Sequence, residues 1–156
     1  MSVVRETPYS AFNFLVEVGG GGGTEVQAGF AEVSGLGTEL TVAEYRNGNA
    51  KTNYIIKVPG TTKAGDVTLK RGITGDAVKV FNWLEEARTG QLSAKKTVRV
   101  KLLSEDRSKG EPEVVVTWEL IGAMPMKWTG PSLNAKGGGD VAMEELVLSV
   151  ENVSQV

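Results

Sequence analysis

The chain has 156 residues, with 17 basic and 19 acidic side chains and neither histidine nor cysteine. A formal charge of −2 leaves no basic field to neutralise phosphates, which disfavours tight nucleic-acid binding. Lacking both residues also removes serine triads, thiolate nucleophiles and the usual zinc sites.

Hydrophobic residues make up 40% and charged residues 23%, the composition of a folded domain, and the length predicts one domain over 1–156. No catalytic, cofactor-binding or metal-ligating residue is expected. The first residues show no apolar run before a cleavage site and no stretch long enough to span a bilayer, so synthesis in the cytoplasm without membrane anchoring is expected.

Most of the chain reads with the two-residue period of half-buried strands. Phe12, Phe14, Val16 and Val18 fall on one face, against Asn13, Leu15 and Glu17. Five glycines at 19–23 predict a flexible loop, because ordering them costs the most backbone entropy. A second strand is expected around 25–33. A strand over 38–46 leads into Asn47-Gly48-Asn49, turn chemistry tolerant of positive φ, and 54–58 resumes the extended pattern, ending at Pro59-Gly60. Over 66–71, Val67, Leu69 and Arg71 alternate with Asp66, Thr68 and Lys70.

From Asp76 the period changes. Ala77, Val80, Phe81, Leu84 and Ala87 or Arg88 recur at three- and four-residue spacing, predicting one amphipathic helix capped by Asp76 and stopped by Gly90. Strands at 97–103 and 114–121 then flank a turn containing Lys109, Gly110 and Pro112, predicting an antiparallel hairpin. Its register follows from burial: Val98, Val100 and Leu102 opposite Leu120, Trp118 and Val116 set Arg99 across from Glu119. A one-residue slip would put Arg99 and Lys101 in the core. A turn-rich stretch with Pro125, Pro131 and glycines 137–139 precedes a last strand over 144–153. Six to eight strands and one helix, without a βαβ rhythm, predict a mainly β fold: an antiparallel β-sandwich or partial barrel with one flanking α-helix.

Local chemistry has bland readings. The glycine run lacks the Gly-Lys-Ser/Thr ending of a phosphate loop. The pairs Glu85/Glu86, Glu105/Asp106 and Glu144/Glu145 are sequence neighbours, which do not converge across a cleft as glycosidase carboxylates must. Asn152-Val153-Ser154 is a glycosylation acceptor only on a secretory route. Trp83, Trp118 and Trp128 could stack a sugar, so a small carbohydrate- or ligand-binding β-sandwich is the alternative function; the commoner use is Trp118 in the core and Trp83 and Trp128 at an interface or partly buried.

Several strands have one apolar face and one face of mixed charge. A sandwich with an exposed sheet edge must protect it or pair it. Head-to-tail pairing that closes makes a ring, and a closed sheet of many strands encloses a water-filled bore.

The segments 9–18 (YSAFNFLVEV), 30–36 (FAEVSGL), 44–49 (EYRNGN), 58–60 with 67–72 (VPG, VTLKRG), the helix with Phe81, Trp83 and Leu84, 118–125 (WELIGAMP), 127–135 (KWTGPSLNA) and 144–150 (EELVLSV) resemble, in order and spacing, the contractile-tail tube protein family of myophage tails and extracellular contractile injection systems. That family is related in fold to the type VI secretion tube. The resemblance implies a non-enzymatic structural subunit without cofactor, whose six-membered rings form a multi-chain β-barrel and stack into a hollow tube. It further implies a sheath protein, baseplate or initiator and terminator proteins as partners, and DNA or protein cargo in the lumen. The particle would be assembled from chains made in the bacterial cytoplasm and could stay there, dock at a membrane or act outside the cell. On this chain, the resemblance makes 35–49 an excursion to a neighbouring subunit or ring, with Glu44, Tyr45, Arg46 and Asn47 as contacts. Lys70, Arg99, Lys101 and Glu119 are candidates for facing the lumen.

Overall fold

A computed structural model describes residues 5–19, 27–75 and 77–156. The expected glycine loop beyond Gly19, the start of the strand expected at 25–33 and the expected cap Asp76 lie outside the described residues. Those described form ten strands and one α-helix. In chain order they are β1 (Phe14–Val18), β2 (Gln27–Ala28), β3 (Glu32–Ser34), β4 (Thr38–Tyr45), β5 (Ile56–Ala64), β6 (Val67–Gly72), α1 (Ala77–Arg88), β7 (Lys96–Leu103), β8 (Val114–Thr129), β9 (Met143–Ser149) and β10 (Asn152–Gln155), with a 3-10 turn at Leu92–Ala94 between α1 and β7.

Eight strands form one sheet in the order β2-β1-β7-β8-β9-β6-β3, with β10 also on β8; β4 and β5 form a separate ribbon. All these pairings are antiparallel. The long β8 joins the two halves of the sheet. Its first part pairs with β7 and β10, and its last part pairs with β9. On either side of the junction lie Gly122, at φ 65°, and a register shift between Pro125 and Lys127, the local devices that bend a strand. Val16, Val98 and Leu120 from one half and Val67, Leu69, Leu146 and Leu148 from the other therefore share one core, with Val80 and Trp83 of α1. The architecture is the predicted sandwich or partial barrel with a flanking helix.

The hairpin register is the expected one: Val98 faces Leu120, Val100 faces Trp118, Leu102 faces Val116, and Arg99 faces Glu119. The helix also ends as expected. Gly90 takes φ 78°, and its N–H donates to the Ala87 carbonyl at 3.1 Å, a left-handed stop that spares an L side chain.

Five expectations are corrected. The one strand expected at 25–33 is two among the described residues, β2 beside β1 and β3 beside β6, at opposite ends of the sheet. β5 does not end at Pro59-Gly60 but runs through them to Ala64. Proline is tolerated because the ribbon has only two strands, and Gly60 accommodates the Thr41 carbonyl, which would stand 2.9 Å from an added Cβ. β8 continues through the stretch read as turns, because bulges rather than turns absorb Gly122 and Pro125. The last strand breaks at Val150-Glu151 into β9 and β10, where it crosses from one half of the sheet to the other. Trp83 is core, not interface: it is 8% exposed, and its Nε1–H donates to the Ala94 carbonyl at 2.7 Å, giving the indole the partner that burial demands.

The segment before β1 is tied to the body by an ion pair between Arg5 and Glu105. Arg5 also lies 4.4 Å from the Tyr9 ring centroid. The Arg5 hydrogen bond, with backbone donors, holds the Glu105 carboxyl at about 2 against its ordinary 4.5. A carboxyl depressed on folding stabilises the fold above its unfolded value. That contribution is lost as pH falls from about 4.5 towards 2. Arg5→Gln is expected to return Glu105 towards its ordinary range, read by carboxyl-carbon NMR titration; an unmoved Glu105 would show that backbone donors alone set its value.

Candidate assembly surfaces

Three features stand apart from the requirements of the core. The first is the β4–β5 ribbon. Every residue of both strands is exposed except Ala64, which is partly buried, although the ribbon carries Leu40, Val42, Tyr45, Ile56 and Val58. Registers Ala43↔Val58 and Tyr45↔Ile56 place these four side chains on one face. Tyr45, Ile56 and Val58 are 56%, 51% and 48% exposed, and Tyr54 and Ile55 extend the apolar surface to the tip. Glu44 pairs in register with Lys57 on the opposite face. At the tip, the Tyr45 hydroxyl lies 2.6 Å from Asn47 Oδ1, to which it donates, and Arg46 donates to the Thr52 carbonyl at 3.2 Å. Glu44, Tyr45, Arg46 and Asn47 are thus held together on an arm whose apolar face is wet. An isolated two-stranded ribbon is marginal in water, and a contiguous exposed apolar patch marks a contact site.

The second feature is the charged side of the main sheet. With Val98 and Val100 buried, alternation turns Arg99 and Lys101 outward. Arg99 Nε lies 3.3 Å from Glu119 Oε1, and Lys101 Nζ lies 3.0 Å from Glu17 Oε1. Three of the four candidate lumen residues therefore meet on β7 and β8. Lys70 does not join them. It lies on β6, two strands beyond β8, where its register partners are Glu32 and Glu145, with Nζ 4.0 Å from Glu32 Oε2. Sequence reasoning missed Glu17, Glu32 and Glu145 as neighbours of these cations; the pairings join segments far apart in the chain.

The third is buried. Arg71 and Glu144 face each other across β6 and β9, with Nε 2.5 Å from Oε1 and side chains only 3% and 4% exposed. Trp128 Nε1–H donates to the other Glu144 oxygen at 3.1 Å, and the Arg71 guanidinium lies 5.9 Å from the Phe30 ring centroid. Trp128 also meets Phe81 of α1 edge to face, with centroids 5.4 Å apart. This network joins the helix, the β6–β9 half of the sheet with the end of β8, and the residues before β3. The indole N–H groups of Trp83, Trp128 and Trp118 are all engaged internally, the last by Gln155 at 3.2 Å. They form anchors rather than a sugar-stacking platform.

Among the described residues, no helix is long and apolar enough to cross a membrane.

A curled antiparallel sheet with paired charges on its polar face and a protruding apolar arm has the form of an assembly subunit. The chain belongs to the T4-like virus tail tube protein gp19 family, which it matches over residues 10–154, and it is a tail-tube subunit of contractile injection systems. It is similar to a chain of the PVC sheath–tube complex of an extracellular contractile injection system in the extended state, at 27% identity over 97% of this chain and 93% of that one, with a TM-score of 0.79. It is also similar to a chain of the tube-terminating cap of the anti-feeding prophage, at 25% identity over 100% and 95%, with a TM-score of 0.80. Hcp1 from Flavobacterium johnsoniae shares the fold at 15% identity over 91% and 93%, with a TM-score of 0.50. No curated protein sequence matches the chain.

Proposed function

We propose that 1–156 acts as one tail-tube domain, that six copies close into a ring, and that rings stack into a hollow tube conducting cargo. The β4–β5 arm, with Glu44, Tyr45, Arg46 and Asn47, reaches a neighbouring subunit or ring. Lys70, Arg99, Lys101 and Glu119 belong to the polar surfaces from which the bore is lined. The subunit is not an enzyme; its work is mechanical. Its partners are a sheath, a baseplate initiator and a terminator, the kinds of component named in the particles that contain its structural relatives. It is made in the bacterial cytoplasm and acts as part of the assembled particle, inside the cell, docked at a membrane or outside.

The observation that carries this reading is the arm. A ribbon of nearly all-exposed residues bearing three large, half-exposed apolar side chains on one face is costly for a free monomer and useful only when a second copy covers it. Negative-stain microscopy of the concentrated full chain should show six-fold rings or tubes of uniform bore. A particle that stays monomeric at high concentration, or a closed disc without a central hole, would overturn the proposal.

A further inference from the structure

The charges on the outward side of the main sheet cancel locally. On β1, β7 and β8 the outward positions carry two cations, Arg99 and Lys101, and two carboxylates, Glu17 and Glu119, joined in the ion pairs described above. On β3, β6, β9 and the end of β8 they carry Lys70 and Lys127 with Glu32 and Glu145. Lys70 stands in register with both carboxylates, and Lys127, opposite Val147, lies diagonally from Glu145. Each half of the sheet is therefore neutral by itself, so the result does not depend on which half lines a bore.

We propose that the wall of the assembled tube is electrostatically self-compensated and passes polypeptide cargo of either net charge, not nucleic acid. This rests on the reading of the chain as a tube subunit and deepens it by naming the class of cargo. A wall with excess charge of one sign attracts cargo of the opposite sign and repels the rest, so it selects by charge. Here a passing ammonium or carboxylate gains contact only by displacing a partner already in place. Both pairs on the β7 side are about two-thirds covered: 34% and 29% exposed for Arg99 and Glu119, 26% and 29% for Lys101 and Glu17. Exposed ion pairs are worth about 0–1 kcal/mol, so exchanging one for another yields almost nothing, and a polypeptide with sparse charges of both signs slides without sticking. Duplex DNA is different. It presents a phosphate about every 1.7 Å of axis, so a wall that must let it slide needs surplus carboxylates to hold it off. Neither half of this sheet has that surplus to hold it off, and the cations of each half already stand beside carboxylates, so the wall neither draws a polyanion in nor lets it slide.

The test uses tubes assembled from the full chain, two labelled flexible peptides of equal length and opposite net charge, and a duplex DNA of similar contour length. Retention after washing is measured by co-sedimentation. The chain has no cysteine, so Thr117→Cys and Thr68→Cys, one on each half of the sheet, can each carry a single gold cluster that shows by electron microscopy which half faces the bore. The wild-type tube is expected to retain the two peptides equally within about twofold, a free-energy difference too small to select cargo, with little response to salt and no uptake of DNA. Removing the carboxylates of the lining half, by Glu17→Gln with Glu119→Gln or by Glu32→Gln with Glu145→Gln, is expected to raise retention of the acidic peptide and DNA about tenfold and make both salt-sensitive. A wild-type tube that prefers one peptide about tenfold, or that takes up DNA, overturns the cargo class while leaving the tube intact. Gold density outside the bore for both labels, or no tube at all, overturns the reading beneath it instead.

Discussion

Tubes are expected to be absent, and the monomer folded, when Ile56→Asp and Val58→Asp are combined. Both side chains lie on the same face of the β4–β5 ribbon as Ala43 and Tyr45, and both are about half exposed in the isolated chain. The fold loses little, because neither residue belongs to the core; surface changes of this kind usually stay within about 0.5 kcal/mol. Assembly loses much more. Covering a half-exposed aliphatic side chain contributes roughly 1 kcal/mol at the usual 25 cal/mol per Å², and a carboxylate forced into the same contact without a partner adds a desolvation penalty of several kcal/mol. The contact repeats in every copy, so a loss of about 3 kcal/mol per copy, more than a hundredfold in each association step, removes rings at any practical concentration. Sedimentation velocity and negative-stain microscopy report assembly, while circular dichroism reports the fold. Normal tubes from this variant would remove the arm from the interface; an unfolded monomer would show instead that the ribbon supports the domain. Glu44→Lys provides a second measurement, because it places a like charge opposite Lys57 on the other face of the ribbon and leaves the apolar quartet untouched.

Arg71→Met is expected to cost the monomer about 3–5 kcal/mol, because it leaves the carboxylate of Glu144 buried with one partner removed. Glu144 is 4% exposed, and the Trp128 indole that remains hydrogen-bonded to it supplies no charge. In urea this corresponds to a midpoint lowered by about 2 M for a domain of ordinary surface change. The double variant Arg71→Met with Glu144→Gln should recover much of that loss: the neutral amide keeps an acceptor for the Trp128 N–H and no longer carries a charge into the core. The difference between single and double variants isolates the buried charge from the lost packing. Equal destabilisation in both would mean that Arg71 acts through its stacking near Phe30 and its alkyl stem, not through the ion pair. The network joins α1 to β6, β9 and the end of β8, so loosening it is also expected to soften the β8 bend on which the two halves depend.

Period-two alternation determined most of the strand faces by itself. The β7–β8 register was legible because a one-residue slip would have buried Arg99 and Lys101, a cost no nearby contact could offset. The helix and its stop were legible too, since three- and four-residue spacing followed by Gly90 leaves few other conformations. Part of the buried ion pair was even written in the alternation: Arg71 shares parity with Val67 and Leu69, and Glu144 with Leu146 and Leu148. Neither was singled out as buried, because a lone charge at the end of an apolar face normally stays in water. Only the pairing of β6 with β9, 73 residues apart in the case of this ion pair, turned two anomalies into one satisfied contact.

The tertiary structure alone decided the rest. Pro125 reads locally as a turn residue, and the sequence cannot reveal that neighbouring strands on both sides hold it inside a continuous strand, where it and Gly122 make a bend. Trp83 read as an interface or partly buried residue, and only the fold showed it in the core with the Ala94 carbonyl as partner for its N–H. The charge balance of the outward face was mostly hidden: Arg99 with Glu119 followed from the hairpin register, but Lys101 with Glu17 and Lys70 with Glu32 and Glu145 join segments that period and propensity treat separately. Local patterning fixes which side of a strand is wet. Which wet sides become neighbours depends on contacts distant in the chain, and those exist only once the core has closed.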